Sequence, residues 1–291
     1  MKSITVPRPL PEPCRVEGST RSRQFAASID PRSWLREAYA RQRLLTGFGA
    51  LLWLAMVPAL LALGLDERSL RGVSVWVKPL KFMASVGLFS ISTAWFIGLL
   101  PPHRRDSLPV RVVVWTILLA GGFEIVYITL MASLGQASHY NFSNALHVAL
   151  YSAMGAGALA MTATQPLLAW QIARHGRGDV LPAWRDAVVL GLVLTFVLGA
   201  GTGGLLGGMQ PPAGAGLPVV GWHLGGGDLR PAHFIGLHAQ QFLPLSGLAL
   251  IALRVQRARL ALAVFALAYS ALWGWAMLRG LEGAVLVAHS R

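Results

Sequence analysis

Seven apolar stretches, each near the ~20 residues that an α-helix needs to cross a bilayer, leave this chain few ways to fold. They run over residues 44–65, 77–100, 112–134, 146–171, 187–208, 232–253 and 260–278. In hydrocarbon every backbone N–H and C=O must be satisfied inside the segment, so the expected fold class is all-α: a polytopic transmembrane helix bundle of seven spans. The residue balance agrees, with 54% hydrophobic and 13% charged side chains, against about a quarter charged in a soluble domain. The expected organisation is a cytoplasmic Pro/Arg-rich tail with an interfacial helix over 1–43, then a seven-helix transmembrane domain over 44–291.

The tail carries Pro7, Pro9, Pro11 and Pro13 and then a run of arginines from Arg15 onward, without the apolar core of a secretory signal. From Asp30 a helix start is legible. Asp30 can cap, Pro31 suits the first turn, and Trp34, Leu35, Ala38 and Tyr39 share a face opposite Arg36 and Arg43, which predicts a helix lying on the membrane surface.

The net charge of +13 points to a membrane rather than to nucleic acid, because 22 of the 25 basic residues are Arg and most sit in the tail and in short loops between spans. The expected partners are therefore the lipid bilayer and a small molecule, with no nucleic acid and no oligomeric state implied. Cys14 is the single cysteine, so neither an intrachain disulfide nor a thiolate metal framework is available. The tail and the loops 101–111, 172–186 and 254–259 are basic and fall on one side, which predicts a cytoplasmic N-terminus and a periplasmic C-terminus in a bacterial inner membrane. Arg68, Arg71, Lys78 and Lys81 are the exception on the opposite side.

The fifth span ends in a glycine-rich run over 199–208 in which Gly199, Gly203 and Gly207 repeat at four-residue intervals, a close helix-packing face. The Gly/Pro-rich loop that follows, 209–228, is long enough to be a lid. Lys78-Pro79-Leu80-Lys81-Phe82 at the head of span two is echoed by Arg230-Pro231-Ala232-His233-Phe234 at the head of span six. That echo predicts a 3+1+3 parallel repeat around a lone fourth helix.

Residues 225–241 concentrate the polar chemistry: Asp228, Arg230, His233, His238, Gln240 and Gln241, in a helix expected to begin near Pro231. Pro244 frees the carbonyl of Gln240. The charged side chains inside the spans are Lys78, Lys81 and Glu124; each needs a partner or a polar interior. Counted from the outer ends, Glu124 lies roughly 15 Å deep, level with Gln241, while Tyr127, Lys81 and His238 form a shallower tier. His147 and His233 sit at the mouth, with His139, Tyr140 and Asn141 in the loop before span four. Together these residues predict a polar funnel open to the periplasm, in which Lys81 and Glu124 share one network.

The segments 76–85, Glu124 with 135–141, and 226–245 resemble the landmarks of a group of bacterial multi-pass membrane proteins without an established activity: K-P-x-K-F, S-H-[FY]-N and D-L-R-x-x-H-F-x-G-x-H-A-x-Q. The middle landmark of that group reads Q-A-x-R-G-x-x-S-H-F-N, and this chain departs from it with Met131, Leu134 and Tyr140. The resemblance implies the fold and the location of the site.

Three functions compete. The first is a membrane-embedded enzyme or cofactor protein acting on a lipid-soluble substrate, with His238, Glu124 and His147 as catalytic candidates. His147 and His238 would be the ligands of a metal or haem in that reading. The second is a transporter or receptor for a small polar or anionic solute, bound by Lys78, Lys81, Tyr127, His139, Asn141, Asp228, Arg230, His233, Gln240 and Gln241. The third is a structural or assembly subunit.

Overall fold

A computed structural model describes residues 31–214, 216–218 and 220–283. The expected Asp30 cap and the Pro/Arg-rich tail before it lie outside the described residues. Helix α1 (Pro31–Arg41) opens at the expected proline, and the chain from Ala38 onward forms the helical bundle.

Polar caps and prolines set the helix starts, as they do in water, because the first turn always leaves N–H groups unpaired. Gln42 accepts from the Leu44 N–H at 2.7 Å at the head of α2 (Arg43–Leu65). Helix α3 (Val77–Ile97) follows a two-stranded hairpin, β1 (Ser69–Leu70) against β2 (Val73–Ser74), whose turn places both Arg71 and Gly72 at positive φ. Pro109 lies in the first turn of α4 (Leu108–Ser133), and Asn144 caps α5 (Ala145–His175) by accepting from the His147 N–H at 3.0 Å. Pro182 opens α6 (Pro182–Leu206). The sixth span is two pieces, α7 (Arg230–Leu237) and α8 (Ala239–Ala252), bent by 51° at His238; α9 (Ala258–Leu281) closes the bundle. Among the described residues six helices are long and apolar enough to cross a membrane, and the bent pair makes a seventh, so the chain is a multi-pass all-α bundle.

Contacts between helices repeat along the chain. Helix α2 packs on α3, which also meets α4; α6 packs on α7 and α8, which also meet α9; and α5 bridges the two groups through α4 and α6. Each group is pinned by a glycine pair. A Cβ on Gly49 would lie 2.8 Å from the Gly87 carbonyl, and one on Gly236 would lie 2.6 Å from the Gly199 nitrogen, so these helices touch backbone to backbone.

Side chains of α3 to α6 form the largest apolar cluster, around Phe96, Ile97, Leu100, Val113, Ile117, Leu168, Ile172 and Leu192. It lies toward the arginine-bearing end. There the arginines satisfy helix-end carbonyls: Arg41 donates to Trp95 O at 2.9 Å with its guanidinium 3.9 Å above the Trp95 ring, and Arg105 donates to Leu100 O and Gly98 O. A cation at a helix C-terminus also complements the dipole.

Helix α6 is not regular. Thr195–Ala200 winds as a π turn, and it faces the break between α7 and α8. Both irregularities free backbone groups, and each freed group shown here finds a partner on a neighbouring helix. The Gly199 carbonyl accepts from His233 Nδ1 at 3.1 Å, the Gln240 N–H donates to Thr195 Oγ1 at 2.8 Å, and Ile235 O accepts from the Tyr269 hydroxyl. Two of the three spaced glycines pack as expected. Gly199 meets Leu237 and Gly203 meets the His233 ring, but a Cβ on Gly207 would meet only carbonyls of its own helix.

Candidate functional site

At the end of the bundle opposite Arg41 and Arg105, the heads of α3 and α7 lie beside the loops 134–144 and 207–229. Asp228 is the most committed group. Its side chain is fully buried, and it accepts from Arg230 Nε at 2.8 Å, Arg230 Nη2 at 2.7 Å, and the N–H groups of Arg230 and His223 at 2.9 and 2.8 Å. Burial alone would raise the Asp228 carboxyl; the Arg230 side-chain bonds and the two backbone bonds outweigh it and hold the carboxyl below its ordinary range. Arg230 Nη2 also donates to Gly221 O at 2.6 Å, and Lys81 Nζ donates to Val220 O at 2.9 Å. Trp222 lies against Phe234, ring centroids 5.2 Å apart. The expected lid is thus tied to α3 by Lys81 and to α7 by Arg230.

Lys81 turns toward the lid, within electrostatic reach of Arg230 and Asp228. Glu124 therefore does not share a network with Lys81, as its depth had suggested; the cation it feels is Lys78. Three residues along a helix amount to a net turn of about 60° and a rise of about 4.5 Å, so the two lysines share one broad face and reach different neighbours on it, Lys78 toward α4 and Lys81 toward the lid. Glu124 is 4% exposed, and its Oε2 is fully buried without a hydrogen-bond partner. Lys78 lies 5.9 Å from the Phe82 ring centroid and is within reach of Lys81 and Arg230 as well as Glu124.

His139 rests between the rings of Phe82 and Tyr151, centroids 5.8 and 5.5 Å away, with Nδ1 3.3 Å from Ser138 Oγ. Burial holds this imidazole well below the usual histidine range; the charge of Lys78 acts the same way, a bond to Ser138 opposes it, and His233 is close enough to contribute. Tyr140 and Tyr151 have a structural task, since their hydroxyls donate to Leu206 O and Gly207 O at the end of α6. Asn141 closes a local turn, donating to Ala137 O at 3.0 Å and accepting from Ser143. Tyr127 stacks on Phe123, and its hydroxyl lies 3.3 Å from His147 Nδ1. Gln136, Tyr140, Asn141, Asn144 and His147 line a shallow open hollow.

Deeper, at the break, His238 Nδ1 lies 3.1 Å from Gln241 Oε1, and Gln241 Nε2 donates to Ser92 Oγ at 3.1 Å. An amide oxygen only accepts, so His238 carries its proton on Nδ1 and leaves Nε2 with a lone pair. The same reasoning puts the His233 proton on Nδ1, toward Gly199 O. Gln240 is fully buried with both amide atoms unpartnered.

The structure therefore brings Lys78, Lys81, Glu124, His139, Asp228, Arg230 and His233 into one electrostatic neighbourhood. His147 is paired with Tyr127 on α4, while His238 is paired with Gln241 at the break. Among the described residues no three His, Cys, Asp or Glu side chains gather as metal ligands, so the expected His147 and His238 ligand pair has no third protein ligand of these types. Sequence reading missed Thr195, Ser92 and Tyr269, lone polar groups in apolar spans, and the carbonyls of Val220 and Gly221.

No family model, curated protein or solved structure matches the chain.

Proposed function

We propose that this is a membrane transporter or receptor that binds a small anionic solute at the end of the bundle formed by the heads of α3 and α7. The observation that carries the reading is the charge count there. Lys78, Lys81 and Arg230 lie within reach of one another, whereas Asp228 is consumed by Arg230 and Glu124 is the one carboxylate acting on Lys78. With Arg230 and Asp228 neutralising each other, two ammoniums face one carboxylate, and this excess positive charge at a bilayer boundary is relieved when an anion joins it. The basic loops at the other end support a periplasmic site in a bacterial inner membrane with the N-terminus cytoplasmic. The broken sixth helix suits a carrier, since discontinuous helices recur at transport sites.

Enzyme chemistry is the second reading, favoured by the lone pair on His238 Nε2 and the unpartnered Glu124 Oε2, which suit a base and a proton carrier.

Thermal stability of detergent-purified protein against acetate, citrate and phosphate at constant ionic strength tests the proposal. At least one anion should raise the melting temperature by several degrees, and Lys78→Met or Lys81→Met should abolish the rise. A response no larger than that to chloride would end it.

A further inference from the structure

The unpaired groups on α3 and α4 point to more than a general attraction for anions. Lys78 and Glu124 sense each other's charge, yet they form no ion pair. Among the described residues no hydrogen bond reaches either the ammonium or the carboxylate, whose Oε2 is fully enclosed. Two complementary charges in a low-dielectric setting normally close on one another, because leaving either group unpartnered costs several kcal/mol. Here they stay unpaired. Val86 on α3 lies against Gly121 on α4, and in an antiparallel pair that register puts Lys78 about five residues, or roughly 7 Å, above Glu124.

A group seated between them must meet two opposite demands. Toward Lys78 it must offer negative charge; toward Glu124 it must offer a hydrogen-bond donor. Phe82, which lies between Lys78 and His139 and meets the imidazole edge to face, makes one side apolar, and Tyr127, Ile128, Met131 and Met154 cluster next to it, so these surroundings favour a compact ligand with a short carbon skeleton.

Resting on the anion-binding reading, we propose that the Lys78–Glu124 gap selects a small carboxylate bearing a hydrogen-bond donor on the adjacent carbon, a hydroxy acid or an amino acid. The carboxylate bridges Lys78, and the hydroxyl or ammonium donates to Glu124. A simple carboxylate of the same length satisfies Lys78 but leaves Glu124 buried and unpaired, and a polar site rejects an analogue that lacks its partner far more strongly than an apolar site rejects a change of size.

The test is calorimetry on the full chain in nanodiscs with three probes of one length: L-lactate, L-alanine and propionate. Lactate or alanine should bind at least tenfold more tightly than propionate. Glu124→Leu should erase that preference, with propionate binding at least as tightly as before, and Lys78→Met should weaken all three. Glu124→Gln, which keeps the shape and a carbonyl acceptor, should preserve a lactate preference and reduce an alanine preference, so a fold lost in Glu124→Leu does not end the experiment. If all three probes bind alike, or the preference is the same in both Glu124 variants, the selectivity is wrong and the anion site stands. If none of the three binds while citrate or phosphate still raises the melting temperature, the selectivity is wrong and the anion site stands; if no anion of either set acts, both readings fall.

Discussion

Replacing Asp228 by alanine would separate a functional tie from a structural one. The carboxylate receives four hydrogen bonds at 2.7–2.9 Å, two from the Arg230 side chain and two from backbone N–H groups. Its own side chain is 0% exposed and that of Arg230 28%. Removal leaves Arg230 with Gly221 O alone and strips the His223 N–H of its partner. Breaking one side of a buried ion pair costs about 3–5 kcal/mol. At about 2–4 °C per kcal/mol, the melting temperature should fall by about 6–20 °C. Asp228→Asn should lose less, because its single amide oxygen can still accept one of the two backbone bonds, which the two carboxylate oxygens take separately from His223 and Arg230. Acid should imitate the alanine change. A carboxyl held below its ordinary 3.8 contributes stability that is complete above that value and is lost as the pH falls through the folded value. Differential scanning fluorimetry in detergent, followed by limited proteolysis of the 207–229 loop, reads both effects. A variant that melts within about 1 °C of the parent with an equally protected loop would refute the assignment of Asp228 as the anchor of the lid.

His139 should make the protein acid-sensitive in a higher window. Its folded value lies well below 6.5, so the unfolded chain takes up a proton that the folded state refuses; stability is full above about 6.5 and declines below it, and His139→Phe should flatten the melting temperature between pH 7 and pH 5. Gly236→Ala would place a Cβ 2.6–2.8 Å from the backbone of Leu198 and Gly199; restoring ordinary contact requires α7 to move by about 0.8 Å, and the expected loss of about 1–3 kcal/mol is measurable as a lowered melting temperature. Reporters active only in the periplasm should work after Ser138 and Gly214 and stay silent after Arg174, and the reverse pattern would invert the placement of the site. In a double-mutant cycle of thermal stability, Lys78→Ala with Glu124→Ala should be non-additive and Lys81→Ala with Glu124→Ala additive.

Helix number, order and extent were legible because about twenty apolar residues in a row have few fates in a bilayer, and Pro31 and Pro231 marked two helix starts. Charged residues within spans drew attention to α3 and α4 for the same reason. Pairing was not legible. Depth alone cannot distinguish Lys78 from Lys81, since the outcome depends on which neighbour each helix face meets. The bend was also hidden: Pro244 signals a missing hydrogen bond, yet α8 runs through it and the axis turns at His238, where tertiary partners such as Thr195 and Tyr269 take up the freed backbone groups. Contacts made by Val220 and Gly221 carbonyls leave no trace in residue type.

The π turn has a consequence for comparing the two halves of the chain. A π turn holds one residue more than an α turn of the same rise, and α6 contains one at Thr195–Ala200 whereas α2 is α-helical throughout. Superposing α2 on α6 therefore keeps its phase on either side of that turn only if one residue of α6 is left unmatched. Any search for a duplicated ancestor must open a single-residue gap between 194 and 201, and an ungapped comparison would turn every later side chain about 100° away from its counterpart.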